Sequence, residues 1–355
     1  MRTSRMNVIY FLVTVLMFTS CSGDKIDLYD KITKVDAHVH IRTGDPAIME
    51  FAKAQGFKFL TINTRSSSQE YIDQQRGYAK GMKILYPDRI AWIATFSMED
   101  FENPGWAENV IMKLQKDFDE GAIGVKVWKD IGMTFRDSLD NFVLIDDPLF
   151  EPILDFITNS EKPLVAHIGE PKNCWLPIES MTVNSDKSYF TNNPQYHMYL
   201  HPEYPTHEML IESRDNVLAR HPDLELIGAH LGSLEYDVDK LAERLDRFPN
   251  FAVDMAERVC HFQVQEREKV RDFIMKYQDR LLYGSDLGIR EDTDIEERKV
   301  RLEKTYRSDW AYFATADSMD SPKVNSTFVG LDLDKDVLEK IYYSNAVRWY
   351  PGGFD

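Results

Sequence analysis

The sequence predicts a (β/α)8 barrel folded as one domain. Two observations carry that expectation. Eight short apolar runs alternate with eight segments of helical period, and the C-terminal ends of several runs carry imidazole or carboxylate groups. The strand candidates are Lys34–His40, Phe57–Asn63, Ile90–Phe96, Ala122–Val127, Pro163–His167, Leu224–His230, Phe251–Asp254 and Leu281–Asp286. Several are nearly continuous hydrophobic runs, as parallel strands covered on both faces should be. Helical periodicity marks Pro46–Gln55, Gln69–Tyr86, Trp106–Glu120, Pro148–Ser160, His207–His221, Asp237–Arg247, Val264–Lys276 and Asp334–Tyr343. A doubly wound open sheet is the alternative, but it would usually show a glycine-rich phosphate loop after an early strand, and none is present. Two long loops are expected at the C-terminal face, Gly169–Thr206 after strand five and Ile289–Val329 after strand eight, where barrel enzymes place their sites. The 355 residues fit one such barrel, a fold that commonly uses ~250 residues or more as one unit.

The N-terminus has a different character. Arg2 and Arg5 precede an apolar run, Val8 to Phe18, that is too short to span a bilayer comfortably and suits the h-region of a secretory signal. The run ends in Phe18-Thr19-Ser20-Cys21, which resembles a bacterial lipobox with Cys21 as the lipidated residue; a plain signal peptide with a chance cysteine is the alternative. The expected organisation is therefore a lipoprotein leader over 1–21, a polar tether over 22–33 and the barrel over 34–355. This implies export to the bacterial cell envelope, with membrane contact only through the anchor. Cys174 and Cys260 remain, and they are read either as a pair or as two free thiols. A net charge of −17 argues against nucleic acid and against a polybasic grip on anionic lipid.

The strand ends carry the chemistry. Strand one closes on His38-Val39-His40, and alternate strand residues face one way, so the two imidazoles can chelate one divalent ion. Lys126 interrupts an apolar run in strand four. Strands five and six end at His167 and His230, and strand eight ends at Asp286. Each residue alone is more simply a structural histidine or a helix cap. Together they form an ordered set that is costly to bury without partners.

The runs VDAHVH, GVKVW, VAHIGE, GAHLGS and YGSDLG resemble the amidohydrolase superfamily, specifically its amidohydrolase-related (family 2) branch of metal-dependent barrel enzymes. The likeness runs from Val35 to Ala346. It implies that His38, His40, His167 and Asp286 hold a divalent metal, Zn2+ in first place, with Mn2+ and Fe2+ also compatible. His230 would be a catalytic histidine, polarising a scissile carbonyl or stabilising its oxyanion, or else a ligand of a second metal. Lys126 would bridge two metals when carboxylated, or contact substrate beside one; one metal is the expectation. The implied reaction is hydrolysis of an amide, ester or lactone in a small molecule, with Asp286 as general base. Alternatives are a decarboxylase using the same ligands, a metal-independent lactonase, and a lipid-anchored non-catalytic binding protein. Within the strand-five insertion Glu170, Tyr196, His197 and His201 are candidate substrate contacts, set against a lid that only packs on itself. Arg65 and Asp254 are lesser candidates near strand ends. His207, His221 and His261 read as surface or helix residues. A homo-oligomer is left open.

Overall fold

The computed structural model describes residues 22–65 and 67–354, so the expected leader and Cys21 lie outside the described residues. Nine parallel strands form one curled sheet: β1 (Lys34–Arg42), β2 (Phe57–Ile62), β3 (Ile90–Thr95), β4 (Val125–Val127), β5 (Leu164–Ala166), β6 (Leu226–Gly228), β7 (Phe251–Asp254), β8 (Leu281–Leu282) and β9 (Leu287–Arg290). The order runs β8-β7-β6-β5-β4-β3-β2-β1-β9. The eighth wall is thus split: β8 pairs with β7, and after a break β9 pairs with β1. The break is stitched to β1 by Ala37 N–H donating to Tyr283 O and Asp286 N–H donating to His38 O. The barrel is closed, as the alternation of runs predicts.

Side chains divide by strand parity. Leu60, Ile62, Ala91, Ile93, Val165, Ile227, Ala252 and Leu282 fill the interior, and Trp349, Tyr350 and Phe354 from the C-terminal segment pack against them. Residues of opposite parity, such as Phe59, Trp92, Val125, Val127 and Leu164, join the larger cluster shared with the surrounding helices. In β1, Val35 and Ala37 are interior, whereas Val39 and Ile41 belong to the outer cluster. The change of side coincides with a register shift between Asp36 and Val39 against β2. That irregularity turns His38 and His40 inward; a regular strand would have aimed them at the helices.

Three expectations need correction. The tether over 22–33 is instead a helix at Ser22–Tyr29 with Leu28 and Tyr29 buried. Tyr29 meets Trp310 edge-on at 5.5 Å, and the Trp310 indole donates to Lys25 O, so apolar contact holds the segment down. The stretch after strand eight is not a loop, since it carries the 20-residue helix Ile295–Ala314. Asp294 caps that helix by accepting from Glu297 N–H, no Gly or Pro interrupts it, and Leu302, Tyr306, Trp310 and Phe313 bury one face at helical spacing. The strand-five insertion holds a helix at Asn184–Asn192 and its own small core of Cys174, Met181, Phe190 and Met198. Cys174 and Cys260 are both buried and unpaired.

Candidate active site

Parity and backbone strain bring the strand-end residues together. Lys126 lies between outward-packed Val125 and Val127 and so points inward, and His167 continues the inward parity of Val165. His230 and Asp286 would not face the same centre on regular backbone. Both adopt left-handed conformations, with φ of 58° and 59°, and Leu231, Gly232 and Ser233 continue the left-handed turn. Such backbone costs on the order of 1–2 kcal/mol per non-glycine residue. The turn is held by Arg214 donating to Gly232 O, by His207 donating to Ser233 O and by Ser233 Oγ donating to Gly169 O. At Gly284 a Cβ would sit 2.9 Å from His38 Cβ, so only glycine lets the eighth wall pass that close to the ligand strand.

The ring nitrogens are sorted. His40 Nδ1 lies 2.7 Å from Ile62 O, and His230 Nδ1 lies 2.8 Å from Ala256 O. A carbonyl only accepts, so each Nδ1 carries the proton and each Nε2 keeps a lone pair. His38 Nδ1 lies 2.8 Å from Asp254 Oδ2. Burial alone would raise the Asp254 carboxyl, but the hydrogen bond from His38 and the charge on the Lys126 amine hold it well below its usual range, so it too accepts. The freed Nε2 atoms of His40 and His38 lie 3.1 and 3.7 Å from Asp286 Oδ1. The Asp286 carboxyl is held down too, against burial, by a hydrogen bond from His40 and by His230 and His38 in their protonated forms. In the neutral tautomers these contacts set lone pair against lone pair.

A divalent cation resolves that conflict. Ligand atoms around a tetrahedral ion with bonds of ~2.1 Å lie roughly 3.4 Å apart. One ligand atom each from His38, His230 and Asp286 lies within 4.8 Å of the others. His167 packs edge-on to His230 at 4.4 Å between ring centres, and its buried Nε2 has no hydrogen-bond partner. The Lys126 amine is also buried without a partner; burial lowers its pKa to about 8 against the pull of Asp254 and Asp286. Burial likewise lowers His40, His167 and His230, the last to about 3, and keeps them neutral and fit to ligate. Among the described residues the donors gathered closely enough to share an ion are His38, His230 and Asp286, with His40 3.1 Å from Asp286 and His167 packed on His230, a donor set whose chemistry suits a divalent cation.

Sequence reasoning undervalued two carboxylates. Asp254 supports His38 and also accepts from His230 N–H (2.9 Å) and Ala256 N–H (3.1 Å). Asp36 lies buried behind the site and accepts from Ser285 N–H and Oγ–H, Tyr306 O–H and His38 N–H. The Asp in VDAHVH and the Asp ending strand seven were visible signals for both, but their partners come from four separate segments.

The substrate-contact candidates separate. Glu170 and Tyr196 line a cavity of about 310 Å³ together with Arg65, Trp128, Lys129 and Tyr189, and Glu170 is ion-paired with Lys129. His197 does not reach it; it is buried in the insertion, with Nε2 donating to Leu176 O at 2.8 Å. His201 packs at the outer edge, 3.2 Å from Pro194 O and 3.5 Å from Glu203. The insertion is thus mostly a self-packed lid with one face on the cavity. His207, His221 and His261 do belong to helices or their ends, but all three are buried, not on the surface. The oxyanion role expected of His230 also changes, because its Nε2 bears a lone pair and can accept a proton or ligate but not donate.

Residues 35–352 match the family model Amidohydro_2, described as amidohydrolase, and the chain belongs to that family. No curated protein matches the sequence. Similar solved folds include 2,6-dihydroxybenzoate decarboxylase from Rhizobium, at TM-score 0.55 and 15% identity, covering 90% of this chain and 98% of that one. A dihydroxybenzoic acid decarboxylase from Polaromonas sp. JS666, with bound manganese and 2-nitroresorcinol, gives 0.53 and 14%, covering 90% and 97%. The 4-oxalomesaconate hydratase of Rhodopseudomonas palustris gives 0.51 and 14%, covering 90% and 96%. These likenesses establish the barrel; the family match adds that the chain is an enzyme of the amidohydrolase family.

Proposed function

We propose that the protein is a metal-dependent hydrolase that cleaves an amide, ester or lactone in a small molecule. The ligands of its metal would be His38, His40, His167 and Asp286. The observation carrying this reading is the convergence of His40 and His38 Nε2 on Asp286 Oδ1 at 3.1 and 3.7 Å, with Nδ1 of each ring turned to an acceptor. A divalent ion held there, Zn2+ in first place, would supply Lewis acidity and would lower the pKa of water toward ~7. Asp286 takes a proton from the attacking water and returns it to the leaving group. His230, neutral and with Nε2 open, is the second acceptor for a proton in the site. Asp254 keeps the His38 ring and the His230 backbone in register through both steps. Trp128 and Tyr196 wall the cavity over the ends of β4 and β5 and exclude water from a bound substrate.

Decarboxylation of an activated carboxylic acid is the second reading, favoured by the decarboxylases among the similar folds. The exported, Cys21-anchored form belongs to the same proposal and rests on the N-terminal sequence pattern alone. The test is elemental analysis of protein purified without chelator, then turnover on amide, ester, lactone and carboxylic-acid panels. Asp286→Asn should lose ~10²–10⁴-fold in turnover with most of the metal retained. Full activity in that variant removes Asp286 as the base. Carbon dioxide release with no hydrolysis of any panel member moves the assignment to decarboxylation.

A further inference from the structure

A groove of about 570 Å³ lies on the flank of the barrel and shares no lining residue with the metal centre or with the cavity beside Trp128. That volume falls in the ~300–1,000 Å³ range of small-ligand sites. Its walls come from the end of the helix Val259–Gln263, from the helix Ile295–Ala314, and from the turn that leads into a short antiparallel pair, β10 (Ser318–Met319) and β11 (Phe328–Val329). The pair is bolted to the long helix: Leu331 N–H donates to Tyr312 O at 2.7 Å and Gly330 N–H to Asp317 O at 3.0 Å. A Cβ at Gly330 would collide with Thr315 O, so only glycine permits this approach.

The lining is polar but almost uncharged. Among the described residues around the groove Arg267 alone carries a charge, in a chain with 28% charged residues, and its guanidinium is engaged by Gly330 O and Glu268. An ionic ligand therefore meets no free counter-charge. The neutral groups lack partners instead. Tyr312 is only 2% exposed, yet its hydroxyl makes no hydrogen bond among the described residues. Gln263 Oε1 is buried and unpaired, whereas the amide of Gln265, two residues on, is filled by Val238 N–H, Glu235 O and His261 O. Unpaired buried polar atoms are costly, and two of them face one groove. On its rim Asn325, Ser326 and Thr327 are exposed, and their side chains bond to no other described residue. Between these groups the floor is apolar. Phe328 meets Tyr312 edge-on at 5.6 Å between ring centres, and Val264 and Val329 keep part of their surface open.

We propose that this groove is a binding site for a neutral saccharide, separate from the metal centre. A sugar ring is apolar across its C–H faces and carries hydroxyls round its edge, each able to donate and to accept. The apolar floor suits the faces. The phenol of Tyr312, the carboxamides of Gln263 and Asn325 and the hydroxyls of Ser326 and Thr327 suit the edge, with Gln263 Oε1 accepting and Tyr312 free to do either. Walls already fixed by backbone hydrogen bonds lower the ordering cost of binding. The site goes beyond the hydrolase reading and does not depend on it.

The test uses the full metal-loaded protein and saturation-transfer NMR with maltose, cellobiose, N,N′-diacetylchitobiose and, as a charged counterpart, cellobiouronate. At least one neutral disaccharide should bind saturably, and cellobiouronate should bind less tightly than the best of them. Tyr312→Phe and Gln263→Leu should each weaken that sugar by about fivefold, the loss of one or two neutral hydrogen bonds. Thr327 is exposed, so Thr327→Val, expected to weaken binding in the same direction, keeps the question decidable if the other variants fail to fold. Binding should persist after a chelator strips the metal, with circular dichroism confirming the fold. No saturable binding by any of the three neutral sugars overturns the site, as does undiminished affinity in the folded variants. Tighter binding of cellobiouronate overturns the neutral class. Binding lost from folded, metal-free protein places the sugar at the metal centre and overturns the separate site.

Discussion

Asp254→Asn isolates the positioning of a metal ligand from the ligand itself. Asp254 is fully buried, and its Oδ1 accepts from His230 N–H and Ala256 N–H while Oδ2 accepts from His38 Nδ1–H at 2.8 Å. Asparagine keeps the shape and can keep Oδ1 on both backbone donors. It then presents an NH2 to His38 Nδ1, donor against donor. His38 escapes only by moving its proton to Nε2, the atom that faces Asp286 at 3.7 Å. The imidazole would then offer a proton where a lone pair is needed. Loss of such a support typically weakens metal binding ~10–100-fold, or about 1.4–2.7 kcal/mol. Loss of the charge-assisted bond should cost fold stability on the order of 1.5–3 kcal/mol. The assay is competition for metal with a chromophoric chelator, with circular dichroism confirming that the variant is folded. A folded Asp254→Asn protein that binds metal as tightly as the parent would refute the sorted-tautomer argument, and with it the assignment of His38 Nε2 as a ligand atom.

Two further outcomes are expected. The metal-free protein should show a histidine-linked loss of stability in acid. Burial lowers His230 from the ordinary imidazole value of 6.5 to about 3 in the folded protein, so its contribution is complete above pH ~6.5 and is lost as pH falls toward 3. Between pH 7.5 and 5.5 the parent should lose about 1.4 kcal/mol more than His230→Asn in denaturant titrations, and parallel pH profiles would contradict a neutral buried imidazole. For the N-terminus, Cys21→Ala should move the protein from the membrane to the soluble fraction of cells expressing the full chain. Unchanged partitioning would remove the lipid anchor from the proposal.

The sequence determined the class of the fold and pointed to the histidines and the aspartate that gather at the strand ends. Apolar runs such as Ile90–Phe96 and Leu224–His230 read as buried strands, and in parallel strands the polar residues that close them gather at one end of the sheet. The helix Ile295–Ala314 was legible too, in the Asp294–Glu297 cap and the spacing of Leu302, Tyr306, Trp310 and Phe313, but the expectation of a loop there hid it.

What only the tertiary structure decided is where side chains aim and which atoms carry protons. His38 faces the barrel because β1 slips its register against β2, and His230 and Asp286 face it because their backbones are left-handed; no local propensity announces either. The tautomers of His38, His40 and His230 depend on Asp254, Ile62 O and Ala256 O, partners at least 22 residues away in the chain. Sequence patterns report burial and periodicity, which are local averages. Chemistry at a site depends on single contacts between distant segments, and those are set by closure of the whole sheet.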